Sequence, residues 1–276
     1  MKVISTIEEL KNERLNLGPK VGFVPTMGNL HAGHLRLLEN SLKLCDHHIV
    51  SIFVNPTQFG EGEDFESYPR TLEADLEKIK SICPEAIIFT PATKEIYGDE
   101  VVNYFKAPAI ADMLEGNLRP GHFDGVLTIV HKLFEIVMPD HAFFGKKDYQ
   151  QLKLISEHAK NYFPALEIHP VEIEREVSGL AMSSRNGYLT QDQKDEAITL
   201  YRTLSFIEKK LITEKDLRGS LEYIQQTLEN DERFNYLSIR KQSDLTPPLD
   251  MSSPLVILGN FQLGQIRLLD NIEVSI

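Results

Sequence analysis

The stretch Val21-Gly22-Phe23-Val24-Pro25-Thr26-Met27-Gly28-Asn29-Leu30-His31-Ala32-Gly33-His34 decides the fold. Its first five residues are a short apolar run that reads as a buried strand. From His34 to Leu44, the residues Leu35, Leu38, Leu42 and Leu44 recur at near-helical spacing. A strand that passes through a polar, glycine-bearing turn into a helix is the repeating unit of a parallel α/β sheet.

The alternation continues along the chain. Residues 48–54 are a second apolar run, 71–82 a helix, 86–89 a third strand and 123–137 a long helix stopped before Pro139. A fourth strand at 142–144, a helix at 148–162 and a fifth strand at 166–173 follow. Strands apolar throughout indicate a sheet covered on both faces. The pattern predicts a Rossmann-like parallel-sheet domain over residues 1–175. The last third differs. Two helices with polar faces are expected at 191–211 and 215–229. Three short strands are expected at 236–240, 255–258 and 265–269, punctuated by Pro247-Pro248, Gly259 and Gly264. Residues 176–276 are therefore read as a smaller α+β domain with a short antiparallel sheet.

A chain of 276 residues has room for two such domains and a sizeable core. Apolar residues at 42% and charged residues at 25% exclude a disordered, collagenous or coiled-coil chain. No apolar run reaches the roughly 18 residues of a membrane span. Acids at Glu8 and Glu9 stand where a signal peptide would be apolar. Cys45 and Cys83 lack any disulfide or zinc spacing and read as reduced thiols, so the chain is expected in the cytoplasm. Twenty-nine basic against 41 acidic residues give a net charge of −12. Such a surface repels a nucleic-acid backbone, but it leaves room for one small anion held by a local basic cluster.

Three segments supply that cluster, each just past a strand, where open α/β sheets bind ligands. The first is Pro25 to His34, with His31 and His34 three apart at a helix start whose N–H groups and dipole favour phosphate. A polar turn with two surface histidines, or a two-histidine zinc pair, would use the same residues, but no third metal ligand is nearby. The second is Gly145-Lys146-Lys147-Asp148-Tyr149-Gln150-Gln151: Gly145 permits the turn, Lys147 offers a point charge to phosphate and Asp148 is placed as a helix cap. The third is Met182-Ser183-Ser184-Arg185-Asn186, two hydroxyls and a guanidinium forming a compact anion-binding set. Asn55-Pro56-Thr57-Gln58-Phe59-Gly60 ends the second strand. Gln58 and Gln151 are amides suited to hydroxyl and carboxylate groups of a small organic substrate. Arg119-Pro120-Gly121-His122-Phe123 is a further basic turn, and the acidic run 61–64 reads as a solvated loop.

The pattern H-x-G-H resembles the HIGH motif of nucleotidyltransferases, and residues 182–186 resemble the KMSKS loop of that superfamily. Taken with SIFVNPTQFG (51–60), YPRT (68–71), RPGHFDGVLT (119–128), FFGKKDYQQL (143–152) and GLAMSSRNGYLT (179–190), the chain resembles the pantoate–β-alanine ligase family. These matches fall within residues 25–190; the rest of the last third carries little motif signal. The resemblance implies an ATP-dependent ligase working through pantoyl adenylate, with Mg²⁺, as a homodimer, under a C-terminal cover domain. The charge and the lack of a long apolar run predict no nucleic-acid or membrane partner. The resemblance casts Pro25, Met27, Gly28, Asn29, Leu30, His31, Ala32, Gly33 and His34 as ATP-binding. The same role falls to Gly145, Lys146, Lys147, Asp148, Glu174, Met182, Ser183, Ser184 and Arg185. His34, His31, Lys147 and Arg185 are the implied catalytic groups, with His34 as proton donor and Lys147 and Arg185 facing the departing pyrophosphate. Gln58, Gln151, Asn55 and Arg119 are the implied substrate residues.

Three positions depart from the family pattern. Ser178 replaces an acid before Gly179, and Glu174 replaces an apolar residue before Arg175. The paired acids after YPRT reduce to Asp75, preceded by Ala74, leaving Asp75 the one candidate for a direct Mg²⁺ ligand beside phosphates and water. Two other readings compete: a nucleotidyltransferase that stops after AMP transfer, and a non-enzymatic nucleotide-binding module. Release of free AMP with amide formation separates the ligase from the first. The joint presence of His31, His34, Lys147 and Arg185 speaks against the second.

Overall fold

The structure is a computed structural model and describes residues 1–275. The chain divides into two compact units: Met1–Lys146 with Gln150–Glu172, and Lys147–Tyr149 with the chain from Ile173 onward.

The first unit opens with β1 (Lys2–Ile4) and α1 (Ile7–Asn16), capped by Thr6, whose hydroxyl accepts the Glu9 N–H. Then come β2 (Val21–Thr26), α2 (Ala32–Leu44), β3 (His47–Ile52), α3 (Leu72–Ile82), β4 (Ile87–Phe89), α4 (Thr93–Tyr97) and α5 (Glu115–Leu118). It ends with α6 (His122–Val137), β5 (His141–Gly145), α7 (Tyr149–Tyr162) and β6 (Glu167–Val171). The six strands pair in parallel in the order β1-β4-β3-β2-β5-β6. The chain leaves β2 toward β3 on one side and returns to β5 on the other. The carboxyl ends of β2 and β5 therefore form the topological switch point, where this class of sheet opens a crevice.

Alternation along the strands separates two cores. Val21, Phe23, Ile49, Phe89, Ala142 and Phe144 pack with Leu10 of α1, α6 and α7. Val24, Val50, Ile88 and Phe143 pack with Leu37 and Leu38 of α2 and Ile79 of α3. Helices on both faces are why these strands lack a polar side. This is the Rossmann-like layout the apolar runs predict. Both cysteines are free and buried, and burial with the Glu85 contact pushes the Cys83 thiol up to about 12.

The second unit holds α8 (Gln191–Lys209), α9 (Leu217–Asn230) and the antiparallel sheet β7 (Phe234–Lys241), β8 (Leu255–Leu263), β9 (Ile266–Val274). Thr190 and Gln193 form a reciprocal capping box at the start of α8. The strands are longer than expected. Gly259 reads as punctuation in the sequence, yet it lies inside β8, opposite Asp270. A Cβ there would lie 2.7 Å from Leu200 Cδ1, so glycine lets α8 approach the sheet. The sequence reading also passes over β1 and α1. Three residues at a sheet edge are too few to show a period, and α1 buries little beyond Leu10.

A histidine pair lies at the margin of the first unit's core. His131 Nδ1 and His158 Nε2 are 2.9 Å apart, ringed by Phe105, Tyr162 and Phe163. Burial, and then the neighbouring His131, lower the His158 pKa to about 4. The unfolded chain takes up a proton near pH 6.5 that the fold refuses. Stability from neutral His158 is thus complete above that pH and is lost as pH falls toward 4, by up to about 3 kcal/mol. Urea unfolding midpoints are expected to drop over this window. His158→Gln is expected to flatten the drop, and an equally steep fall in that variant would exclude His158 as its source.

Candidate active site

The turn after β2 is built on a buried acid. Gly28 (φ +84) and Asn29 (φ +50) both take left-handed backbone, a conformation that costs glycine nothing. The Asp75 carboxylate, with no exposure, accepts the N–H groups of Asn29 and Leu30, each at 2.8 Å, and the Thr71 hydroxyl at 3.0 Å. Lys78 Nζ donates to the Leu30 carbonyl at 2.7 Å. Thr26 Oγ1 accepts from Gly28 N and donates to the Ser51 carbonyl. Asp75 is thus spent on the backbone, and its donor set does not fit a direct Mg²⁺ ligand. The expectation that it binds metal is corrected accordingly.

The two histidines are not simply neighbours on a helical turn. His31 is the N-cap of α2 and His34 is its third residue, joined in a reciprocal capping box. His31 Nδ1 accepts from Gly33 N at 3.1 Å, and His34 Nδ1 accepts from His31 N at 3.4 Å. Each Nδ1 serves as acceptor, so each neutral ring carries its proton on Nε2. The rings lie with centroids 4.0 Å apart. The start of α2 therefore has two N–H-bearing imidazoles of fixed tautomer, together with the helix dipole. With both Nδ1 atoms turned to backbone, the zinc-pair reading loses its support.

The loop after β3 is braced from α4 and α6. Asn55 is 1% exposed; its Nδ2 donates to Gln58 Oε1 and the Gly125 carbonyl, and its Oδ1 accepts the Tyr97 hydroxyl at 2.6 Å. Gln58 Nε2 donates to Met27 Sδ at 3.0 Å, which joins this loop to the one after β2. Arg119 makes a bidentate pair with Glu63 (2.8 and 2.6 Å) and donates to the Gln58 carbonyl. His122 accepts from Arg119 at Nε2 and donates from Nδ1 to the same carbonyl at 2.8 Å. Two readings are corrected here. Arg119 is a brace for Gln58 rather than a guanidinium held out to substrate, because its charge is already matched. The run 61–64 is not wholly solvated, because Glu63 is that match. Gln150 buries its amide on the carbonyls of Ile110 and Met113, whereas the half-buried Gln151 amide makes no hydrogen bond among the described residues.

Gly145 is the last residue of β5, paired with Val171 in ordinary strand backbone, so no special turn conformation explains it. A Cβ there would meet nothing within 4 Å. Lys146 pairs with Glu172, and Lys147 Nζ lies 2.9 Å from Asp148 Oδ1.

In the second unit, residues 174–182 form a small hairpin. Met182 N donates to the Glu174 carbonyl, Arg175 bridges Ala181, and Leu180 N donates to Ser178 Oγ. Ser183 then caps a short 3-10 turn (Ser184–Tyr188), its Oγ accepting from Arg185 N. Asn186 fixes that turn from inside by donating to the Ala181 carbonyl at 3.0 Å. Arg175 anchors the hairpin through a bidentate pair with Asp270 (2.6 and 2.8 Å), stacked over Tyr201. Burial raises the Asp270 carboxyl and the guanidinium opposes that shift; the paired geometry is that of an ionised couple. Asn271 Nδ2 donates to the Lys147 carbonyl at 3.0 Å, and Tyr149 donates to Glu273 at 3.0 Å. Burial and Glu273 hold the Tyr149 phenol protonated well above its ordinary range. Lys147 is therefore set by β9. Arg175, Asp270, Asn271 and Glu273 are missed by the sequence reading because no local motif marks them.

A histidine-capped helix thus opens at the switch point of a Rossmann-like parallel sheet, where sheets of this class bind ligands. The family profile described as Pantoate-beta-alanine ligase matches residues 2–273. A pantothenate synthetase of Shewanella sediminis is 46% identical over 258 residues, covering 92% of each chain. A pantothenate synthetase of Thermus thermophilus superposes with a TM-score of 0.91 at 36% identity over all of both chains. A pantoate-beta-alanine ligase from Francisella tularensis, complexed with beta-gamma ATP and beta-alanine, gives 0.82 at 33% identity, covering 99% of this chain and 97% of that one. The chain belongs to the pantoate–β-alanine ligase family and is an enzyme.

Asp75→Asn tests the floor of the turn. An amide cannot accept three donors through one oxygen, so a buried donor is left unpaired at a cost of about 1–3 kcal/mol. The variant is expected to unfold at lower urea and to ligate at least tenfold more slowly. Rescue by excess Mg²⁺ would restore Asp75 to the metal.

Proposed function

We propose that the chain condenses pantoate with β-alanine in two half-reactions. A pantoate carboxylate oxygen attacks the ATP α-phosphorus and displaces pyrophosphate. The β-alanine nitrogen then attacks the mixed-anhydride carbonyl, expels AMP and sheds a proton. The capping box of His31 and His34 at the switch point is the observation that carries this reading. It presents two Nε2–H donors of fixed tautomer where charge builds on phosphate, at no cost of reorganisation. His34 is assigned as proton donor, and the turn from Pro25 to Gly33 as the phosphate and adenosine cradle. Gly145 and Lys146 line the neighbouring strand end; the gap beside Gly145 suits a close ligand.

Lys147 and Arg185 are assigned to neutralise the leaving pyrophosphate, with Asp148, Ser183 and Ser184 orienting them. Glu174 and Met182 are assigned to ATP through the hairpin backbone they share. Gln151 and Gln58 are assigned to pantoate, with Asn55 and Arg119 acting through Gln58. Catalysis of this kind is positioning plus electrostatics. Mg²⁺ enters as the counter-ion of the triphosphate and supplies charge neutralisation; no side chain is assigned to it. Residues 1–175 are assigned the ATP and pantoate role and residues 176–276 the cover role. Among the described residues no helix is long and apolar enough to cross a membrane. The two free buried thiols support a cytoplasmic enzyme, and the family likeness supports a homodimer.

Pantoate-dependent exchange of labelled pyrophosphate into ATP is expected without β-alanine. Absence of exchange at saturating Mg-ATP would remove the adenylate from the mechanism. Lys147→Ala is expected to slow adenylate formation about a hundredfold, since a lost charge on a transferring phosphate costs several kcal/mol. Its KM for pantoate is expected to stay within about twofold. Rapid-quench single turnover measures both, and a parent-like rate would strip Lys147 of the role.

A further inference from the structure

Far along the strands from the histidine-capped helix, three metal-ligating side chains meet at the amino ends of β5 and β6. In parallel register His141 lies opposite Glu167 and Phe143 opposite His169. The two-residue period of a strand puts all four on one face. His141 Nδ1 and His169 Nε2 are 3.0 Å apart, and Glu167 Oε2 lies 3.5 Å from the first and 3.7 Å from the second.

A tetrahedral ion with bonds of about 2.0–2.1 Å spaces its ligands roughly 3.3 Å apart. The three separations bracket that value, so movements of a few tenths of an ångström bring all three atoms onto one ion. The ring of Phe143 stacks on His169 at 4.9 Å and 19°, which fixes that imidazole in place. The side chains are 19%, 69% and 26% exposed in chain order, so an ion reaches them from solvent and a water completes the shell. The one proton between the two ring nitrogens moves to a ring's other nitrogen when the ion enters.

The other triad of this kind among the described residues, His48, Cys83 and Glu85, lacks these properties. His48 Nδ1 is occupied by Ser41 Oγ at 2.9 Å, and both His48 and Cys83 are buried.

We propose that His141, Glu167 and His169 form a site for one Zn²⁺ ion that clips edge strand β6 to β5, apart from the ligation chemistry. The full chain, stripped with chelator, is titrated with Zn²⁺ by calorimetry. One ion per chain is expected, with a Kd at or below about 10 µM. Thermal unfolding is expected to shift upward with Zn²⁺. His141→Ala with His169→Ala is expected to weaken binding at least about tenfold and to abolish the shift. Cys83→Ser is expected to retain both. Co²⁺ in place of Zn²⁺ is expected to give the visible absorption of a low-coordinate site in the parent and in Cys83→Ser, but not in the double variant. Unaltered affinity in the double variant, whose metal-free melting serves as the folding check, overturns the proposal. So does absence of binding by the parent, or loss of binding in Cys83→Ser.

Discussion

Asp75 lies with no solvent exposure beneath residues 28–30, its carboxylate accepting two backbone N–H groups and a threonine hydroxyl. A buried carboxylate persists only where such donors compensate its lost hydration. That requirement ties α3 to the turn after β2. The turn in turn sets where His31 caps α2 and where His34 reaches back to it. Met27, in the same turn, takes the Gln58 amide, so the loop after β3 follows as well. One buried charge thus places groups from two loops of the first unit.

The second unit repeats the device with an ion pair. Asp270 on β9 holds Arg175, and its neighbour Asn271 holds the carbonyl of Lys147. The hairpin carrying Met182 to Arg185 and the backbone of Lys147 therefore share one strand as their support. Rigidity of this kind matters to the role proposed for these groups, because donors that must reorganise when charge develops contribute little. The net charge of −12 fits this picture. Acids serve as local supports for the few basic groups: Asp270 for Arg175, Glu63 for Arg119, Glu172 for Lys146.

The parallel sheet was legible because its strands are buried on both faces and show as unbroken apolar runs. The segments at the strand ends were legible as segments because each combines special residues there. Asp75 was legible as an isolated acid but not in its role, because its partners are backbone groups 45 and 46 residues away. Arg119 and Glu63 belong to separate polar loops in the sequence; only the fold brings them to 2.6 Å. Gly259 resembles a turn residue in the sequence because a glycine carries no mark of whether it bends a chain or admits a helix.

By itself the sequence determined the α/β class and the family, since these rest on runs and motifs of local spacing within ten or so residues each. Tertiary structure alone decided which side chains are offered and which are spent. His31 and His34 acquire one tautomer through the cap they form, Arg119 turns inward to Glu63, and Lys147 is held by a strand more than a hundred residues later. The reason is physical. A side chain's chemistry is set by what satisfies its hydrogen bonds and charge, and in this fold those partners come from distant parts of the chain.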